Sequence, residues 1–304
     1  MNPIRAAAFT STANTLHRVP DWPRLPDYLK LDIVSNAVAD SRGRIYVAHR
    51  HHHPLFRLHP NGDFECEIGV DVMRPSMGYD VLNHPQPVAM GVRPWLHGLH
   101  VDPLDNLWVT DVGRHLVFRF NPDGEITLTL GVDGVSGCDA THFHQPTHVC
   151  VLPNGEFYVT DGSGTARGVH CDANARFVRD WVWHGTAPGE FHTPHVITAD
   201  AGGRLYVSDR ENDRVQVFAT DGALLAEWPG LHSVDGLHVA ADGFIYGSAG
   251  LDNAVIRFHP DGRIHTVWAE PGLFRYPHGI CVLPNGDILI AETGGHEIKL
   301  MRHE

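Results

Sequence analysis

Residues 96–124 read LHGLHVDPLDNLWVTDVGRHLVFRFNPDG, and this stretch decides the fold. Three short apolar runs are separated by turns that contain Asp, Pro, Asn or Gly. Pro presets φ at the corner of a turn, and Gly accepts the positive φ that a tight hairpin needs. Because apolar residues alternate between these turns, each run is typical of a half-buried β-strand.

The same pattern occurs six times along the chain of 304 residues. The six copies are marked by one aromatic or large apolar position in the second strand, and these positions lie 40 to 62 residues apart: Tyr46, Trp108, Tyr158, Tyr206, Tyr246 and Leu289. This spacing is typical of one four-stranded blade per repeat. No long segment has a helical period. The sequence therefore predicts an all-β, six-bladed β-propeller in a single domain, residues 1–304.

The ends of the chain predict how the ring closes. The last repeat ends with the strand-like residues 297–301, one strand short of a full blade. We expect residues 10–18, near the N-terminus, to supply the missing outer strand, because that pairing removes a free sheet edge. The insertions at residues 67–94 and 132–145 are expected to fold over one end of the ring.

Composition restricts the partners and the compartment. The 36 acidic and 23 basic residues give a formal net charge of −13, which disfavours nucleic-acid binding. No apolar segment is long enough for a membrane span or a signal peptide. The five cysteines include no CxxC pair, so they are interpreted as reduced thiols of a cytoplasmic protein. Small molecules are the expected partners; the sequence does not predict the oligomeric state.

Histidines recur at one position of the repeat. Ten residues before the first hydrophobic residue of the second strand, at the start of the innermost strand, the six repeats have Ser35, His97, Thr147, His195, Asp235 and His278. Alternate blades of a six-fold ring are about 120° apart, so three such side chains converge on the axis. Three neutral imidazoles with an open fourth position are typical of a catalytic Zn²⁺ site, although other divalent transition metals also suit them. The alternative is a polar channel whose histidines bind water.

Two arginines occupy another repeated position, four residues after the aromatic one. Arg50 and Arg210 belong to repeats one and four, which face each other across the ring. Two guanidinium groups near a metal site suit a carboxylate, which Arg binds in a bidentate way. The alternative is that each arginine pairs with a neighbouring acid, such as Asp209 or Glu211. One position earlier, four of the six repeats carry an acid, which indicates a structural role.

Several motifs resemble one family. The segments that carry the likeness are Leu96-His97-Gly98-Leu99, Phe191-x-x-Pro194-His195, Asp209-Arg210-Glu211-Asn212 and Phe274-x-x-Pro277-His278. The chain resembles the lyase domain of peptidylglycine α-amidating enzymes, within the NHL-repeat propellers. The resemblance implies cleavage of a peptidyl-α-hydroxyglycine into a peptide amide and glyoxylate. It also implies zinc held by His97, His195 and His278, active-site arginines at Arg50 and Arg210, and a structural Ca²⁺ near the Leu99 carbonyl.

The chain departs from this family at three places. Ser163 follows the Asp-Gly pair where the family has its active-site Tyr, and Gly279 replaces a calcium-binding acid. The family's disulfide cysteines are absent. Ser163 is retained as a substrate-binding candidate. His148, His144, Tyr79 or a metal-bound hydroxide are the candidates for moving the proton.

The expected activity is that of a metal-dependent lyase. It would cleave an N–C(OH) bond of a small carboxylate-bearing substrate and release an amide and glyoxylate or a similar carbonyl acid. The first alternative is a metal-dependent hydrolase of a lactone, ester or amide, because the same three histidines would serve it. The second is a non-catalytic NHL-type propeller that presents a face to a protein partner.

Overall fold

A computed structural model describes residues 15–81, 86–181 and 183–303. In these parts of the chain, six four-stranded antiparallel sheets and one two-stranded hairpin account for all sheets. The helical structure described is a single 3₁₀ turn, Arg210–Asn212, and no helix in the described residues could cross a bilayer.

The strands follow in chain order, four to a blade. Blade one contains β2 (Val34–Ala39), β3 (Ile45–His49), β4 (Leu55–Leu58) and β5 (Phe64–Glu67), and β1 (Leu16–Arg18) precedes it. The hairpin of β6 (Ser76–Asp80) and β7 (Val88–Arg93) comes next. Blade two contains β8 (Leu96–Val101), β9 (Leu107–Asp111), β10 (Leu116–Phe120) and β11 (Ile126–Leu130). Blade three contains β12 (His148–Val151), β13 (Phe157–Asp161), β14 (Arg167–Cys171) and β15 (Phe177–Trp181).

The other three blades repeat the arrangement. Blade four contains β16 (Pro194–Ala199), β17 (Leu205–Asp209), β18 (Arg214–Phe218) and β19 (Leu224–Pro229). Blade five contains β20 (Val234–Val239), β21 (Ile245–Ala249), β22 (Ala254–Phe258) and β23 (Ile264–Trp268). Blade six contains β24 (Pro277–Val282), β25 (Ile288–Glu292) and β26 (Glu297–His303), with β1 as its fourth strand.

The ring closes through the N-terminal strand, as predicted. Strand β1 pairs antiparallel with β26, with Leu16 opposite His303. The innermost strands are neighbours in cyclic order, from β2 through β8, β12, β16, β20 and β24 back to β2. The prediction of six blades and of this closure is confirmed; residues 10–14 of the expected strand lie outside the described residues.

The core lies between the faces of successive blades. Between blades four and five, for example, Trp228 packs with Tyr206 and with Phe258, at ring-centroid distances of 5.4 and 5.7 Å. All three residues belong to one buried cluster. Because each blade buries both faces against its neighbours, the aromatic position that marks the repeat in the sequence is a core position.

Buried ion pairs secure the loops between blades. In four blades an acid at the end of the second strand contacts a cation at or near the third strand: Asp111–Arg114, Asp161–Arg167, Asp209–Arg214 and Glu292–Lys299. The Arg167 guanidinium also donates to the carbonyls of Cys138 and His142, in the loop that enters blade three. These acids therefore have the structural role that their repetition indicated, since a buried charge must be paired and hydrogen-bonded.

Candidate metal centre

Three imidazoles meet on the axis of the ring. His97, His195 and His278 lie on the innermost strands β8, β16 and β24, and one ring nitrogen of each lies within 4.8 Å of the others. The ring centroids are 4.6 to 5.0 Å apart. In each of these strands the pairing register shifts at the histidine. Such a bulge re-aims a side chain, and here it accompanies the side chains that face the axis.

The outer ring nitrogens are fixed by the blades between the histidines. Each Nδ1 lies 2.7 to 2.9 Å from a backbone carbonyl of the next blade, at the corresponding repeat position: His97 with Thr147, His195 with Asp235, and His278 with Ser35. A carbonyl oxygen only accepts, so Nδ1 carries the hydrogen and Nε2 keeps its lone pair. This is the orientation that metal-binding histidines have in proteins.

Burial keeps the three imidazoles neutral. It holds the pKa of His97 and of His195 well below the ordinary 6.5, and it lowers the pKa of His278 to about 3. The positive charge of Arg210 acts in the same direction on all three, and that of Arg50 does so on His97 and His278. The buried Nε2 of His195 has no hydrogen-bond partner among the described residues. Three neutral donors of this kind could hold a metal ion, and they fit one that prefers nitrogen ligands.

The histidines separate two cavities along the channel. We call the first, of about 310 Å³, the front chamber; it is lined by the three histidines, Arg50 and Arg210, and by Tyr79 and Met90 of the hairpin β6–β7. We call the second, of about 210 Å³, the rear chamber; it is lined by the same histidines and by His100, His148 and His238.

Arg50 lines the front chamber and makes no salt bridge with the described residues. Its guanidinium carbon lies 4.8 Å from the ring centre of Trp95, and its Nε is buried without a hydrogen-bond partner in the described part of the chain. Burial, together with the charges of Arg93 and Arg210, lowers the pKa of Arg50 to about 10. A group in this state favours an anionic ligand, because the ligand would supply the missing charge and acceptors.

Arg210 faces the same chamber but is already paired. Its Nε and Nη2 donate to one oxygen of Glu211, at 2.8 and 2.6 Å, and its Nη1 lies 3.4 Å from Asp235. Although burial opposes the charge, these carboxylates raise the pKa of Arg210. The alternative interpretation of the sequence, pairing with a neighbouring acid, therefore describes the contacts of Arg210 but not those of Arg50.

The remaining predicted residues are spread over different parts of the channel. Tyr79 and Ser163 line the front chamber, whereas His148 lines the rear chamber, behind the three histidines. His144 lines neither chamber: its ring faces His115 at 5.6 Å. The structure thus brings Tyr79 and Ser163 to Arg50 and separates His148 and His144 from it.

Several residues that line the front chamber were not predicted, and two of them are the aromatic residues Tyr276 and Trp95. Tyr276 lies two positions before His278 and lines the chamber, and burial raises its pKa. Its ring occupies the space beside Gly250, where a side chain would collide with it. Gly250 is the blade-five counterpart of Arg50 and Arg210, so its small size was the signal that could have indicated a neighbouring side chain. Trp95, under Arg50, occupies the same repeat position, two residues before His97, so this position was a second signal that could have indicated both side chains.

The rear chamber offers few carboxylates to a calcium ion. Leu99 and Gly279 lie there as the sequence indicated, but Asp235 is the one carboxylate among the residues lining it. The oxygens of Asp235 already contact Arg210, Gly250 and Ser233. Ca²⁺ takes six to eight oxygen ligands, and the one carboxylate of this chamber is already engaged in these contacts.

Comparison with known proteins gives the same family as the motifs. The NHL repeat family model matches residues 191–218 and 274–299. The rat peptidylglycine alpha-amidating monooxygenase is 33% identical over 66% of this chain and 22% of its own length. The fruit-fly peptidyl-alpha-hydroxyglycine alpha-amidating lyase 1 is 40% identical over 40% of this chain and 25% of its length. The mouse NHL repeat-containing protein 3 is 32% identical over 59% and 50%. The chain thus spans between about a fifth and a half of these relatives.

Solved structures share the fold at low identity. A gluconolactonase from Xanthomonas campestris superposes with a TM-score of 0.64 at 15% identity, covering 100% of this chain and 94% of that chain. The virginiamycin B lyase from Staphylococcus aureus gives a TM-score of 0.61 at 15% identity, covering 96% and 88%. A lactonase and a lyase on one fold show that the architecture alone does not decide the reaction. The repeat match and the curated relatives thus make the chain similar to NHL-repeat β-propellers, among them the peptidyl-α-hydroxyglycine α-amidating lyases.

Proposed function

We propose that this protein is a metal-dependent lyase that cleaves the N–C(OH) bond of a small carbinolamide bearing a carboxylate. The products would be an amide and glyoxylate or a similar carbonyl acid. The observation that carries the proposal is the front chamber, where three neutral imidazoles, an unpaired guanidinium and an apolar wall enclose one space. The amidating lyases among the relatives support the reaction class.

His97, His195 and His278 would hold the ion, with zinc the expected metal. When bound, such an ion supplies a Lewis acid that makes a hydroxyl group near it more acidic. The protein's own contribution is to keep the three Nε2 lone pairs aimed at one point. The carbonyls that accept from each Nδ1 provide this orientation, so little rearrangement is needed on binding.

Arg50 would bind the substrate carboxylate. Burial lowers the pKa of its guanidinium, which makes no salt bridge with the described residues, so a carboxylate would make strong charge-assisted hydrogen bonds to it. Arg210 would act differently, because Glu211 and Asp235 already neutralise it. Its role would be to keep Asp235 in place, the residue whose carbonyl orients His195.

One proton must move from the substrate hydroxyl to the leaving nitrogen. The N–C bond breaks, its electron pair goes to nitrogen, and the oxygen keeps its electrons as the new C=O. Of the predicted proton carriers, Tyr79 lies in the front chamber, whereas His148 lies behind the imidazoles and His144 outside both chambers. We therefore assign the transfer to Tyr79, directly or through a water molecule.

The test is release of the carbonyl product from α-hydroxyhippurate and ureidoglycolate, with ester and lactone hydrolysis measured in parallel. The native protein should release glyoxylate from at least one of the two hydroxy acids, and His195→Ala should lose that activity together with bound metal. Turnover of esters or lactones alone would assign the protein to the hydrolases instead. No turnover, with no bound metal in protein purified without a histidine tag, would favour a non-catalytic propeller.

A further inference from the structure

The hairpin β6–β7 places apolar side chains at the entrance of the front chamber. It is inserted between blades one and two, and both Tyr79 and Met90 line the chamber that also contains Arg50. Their exposed fractions, 42% and 41%, are high for large hydrophobic residues. Trp95 extends the same wall inward. A concave site with apolar walls and few polar groups is typical of ligand binding.

The hairpin is attached to the ring at both ends of this wall. The indole Nε1 of Trp95 donates to the carbonyls of Ser76 and Gly91, at 3.1 and 3.3 Å. The buried Gln145, from the loop entering blade three, donates to the carbonyl of Tyr79 at 2.6 Å. Because these bonds hold the backbone of both strands, the apolar side chains have a defined position relative to Arg50.

The charge of Arg50 favours one orientation of a substrate in the front chamber. Arg50 makes no salt bridge with the described residues, and its buried Nε has no hydrogen-bond partner among them, whereas Tyr79 and Met90 of the hairpin are partly exposed to solvent. A substrate carboxylate would be attracted to Arg50. The opposite, acyl end of a carbinolamide would then lie against Tyr79 and Met90.

We propose that the hairpin β6–β7 is an acyl-binding wall, so that the protein prefers carbinolamides whose nitrogen carries an apolar aromatic or aliphatic acyl group. Small or polar groups on that nitrogen, such as acetyl or carbamoyl, would leave Tyr79 and Met90 exposed to water and would bind less tightly. The inference rests on the proposed function and adds the substrate class to it.

The experiment compares kcat/KM for α-hydroxyglycines that carry benzoyl, hexanoyl or acetyl groups. We expect the benzoyl and hexanoyl substrates to exceed the acetyl substrate about tenfold or more, the range that buried methylene groups give in a hydrophobic pocket. Met90→Ala should reduce the benzoyl-to-acetyl ratio several-fold, mainly through KM. The matched control is Val92→Ala, because Val92 is on the same strand, is 65% exposed and does not line the chamber; it should leave the ratio unchanged. A ratio measured within one variant is independent of its folded fraction.

Equal kcat/KM values for the three substrates would overturn the acyl-binding wall while leaving the lyase activity in place. The same holds if Val92→Ala lowers the ratio as much as Met90→Ala does. If no substrate releases a carbonyl product, the lyase proposal fails, and the wall is tested by binding alone. In that case calorimetry with hippurate and aceturate, which lack the reactive hydroxyl, should still show the tighter binding for hippurate in the native protein and not in Met90→Ala; equal affinities would refute the wall.

Discussion

Replacing Arg50 by Met should remove most of the catalytic efficiency without destabilising the fold. The guanidinium carbon lies 4.8 Å from the ring centre of Trp95, and the Nε atom is buried without a hydrogen-bond partner among the described residues. A cation held in this way contributes little to stability but is ready to bind an anion. Activity and stability should therefore separate in this variant.

The size of each effect follows from the surroundings of Arg50. Its pKa falls from 12.5 to about 10, and at 1.36 kcal/mol per pKa unit the buried charge costs up to about 3 kcal/mol. Arg50→Met removes this cost, but it also removes the cation–π contact with Trp95, which stabilises the fold by about 1–2 kcal/mol. The free energy of unfolding should thus stay constant or rise by about 1–2 kcal/mol. Loss of a bidentate hydrogen-bonded carboxylate contact, about 1.5–3 kcal/mol, should lower kcat/KM about 10- to 150-fold.

Arg210→Met is the matched control, since it removes the same group from the other side of the chamber. It leaves the fully buried carboxyl of Asp235 and that of Glu211 without their cation, and breaking a buried ion pair costs about 3–5 kcal/mol. The assay is the melting temperature of both variants beside kcat/KM for α-hydroxyhippurate. If Arg50→Met melts as far below the native protein as Arg210→Met does, Arg50 is a structural residue and the reasoning fails.

Three further predictions concern the metal, the ring and pH. The native protein should bind about one equivalent of transition metal per chain, as three-imidazole sites do; any one of His97→Ala, His195→Ala and His278→Ala should lower that content, and full occupancy in all three variants would contradict the site. Deleting residues 1–20 should lower the melting temperature sharply, because β26 would lose its partner and become a free edge; an unchanged melting curve would show that β1 is dispensable. Burial lowers the pKa of His100 to about 3 and of His238 to about 4, below the 6.5 of the unfolded chain. The free energy of unfolding should therefore be unaffected by these two groups above pH 6.5. It should fall as the pH decreases from 6.5 towards 4, because the unfolded chain then binds protons that the folded protein does not. Between pH 7 and 5 each should cost about 2 kcal/mol, and His238→Gln should show a smaller fall in melting temperature over that interval than the native protein.

The repeat period predicted those features that depend on the backbone alone. Six copies of one pattern give six blades, and a repeated position near the start of the inner strand gives the three axial histidines, because equivalent positions of a ring are related by its symmetry. The outer strand of blade six followed from counting strands. None of these inferences required knowledge of a rotamer.

Contacts between side chains that do not repeat could not be predicted in this way. Arg50 and Arg210 occupy equivalent positions, yet only Arg210 has Glu211 beside it and Asp235 in the next blade. His148 follows Thr147 by one residue, and it lies on the rear side of the histidines. Tyr276 and Trp95 occupy equivalent repeat positions, yet Tyr276 fills the space beside Gly250 whereas Trp95 lies under Arg50. In each case the outcome depends on local side-chain geometry rather than on the period.

The alternation of blades around the axis has a mechanical consequence. Three blades carry the imidazoles, and the three blades between them carry the carbonyls that accept from Nδ1, so a single ion on the axis would be linked to every blade, directly or through one hydrogen bond. Each blade would then be restrained by the ion at the centre of the ring as well as by its two neighbouring blades. Binding of the metal should therefore slow backbone amide hydrogen exchange in blades one, three and five as well, although these blades provide no ligand.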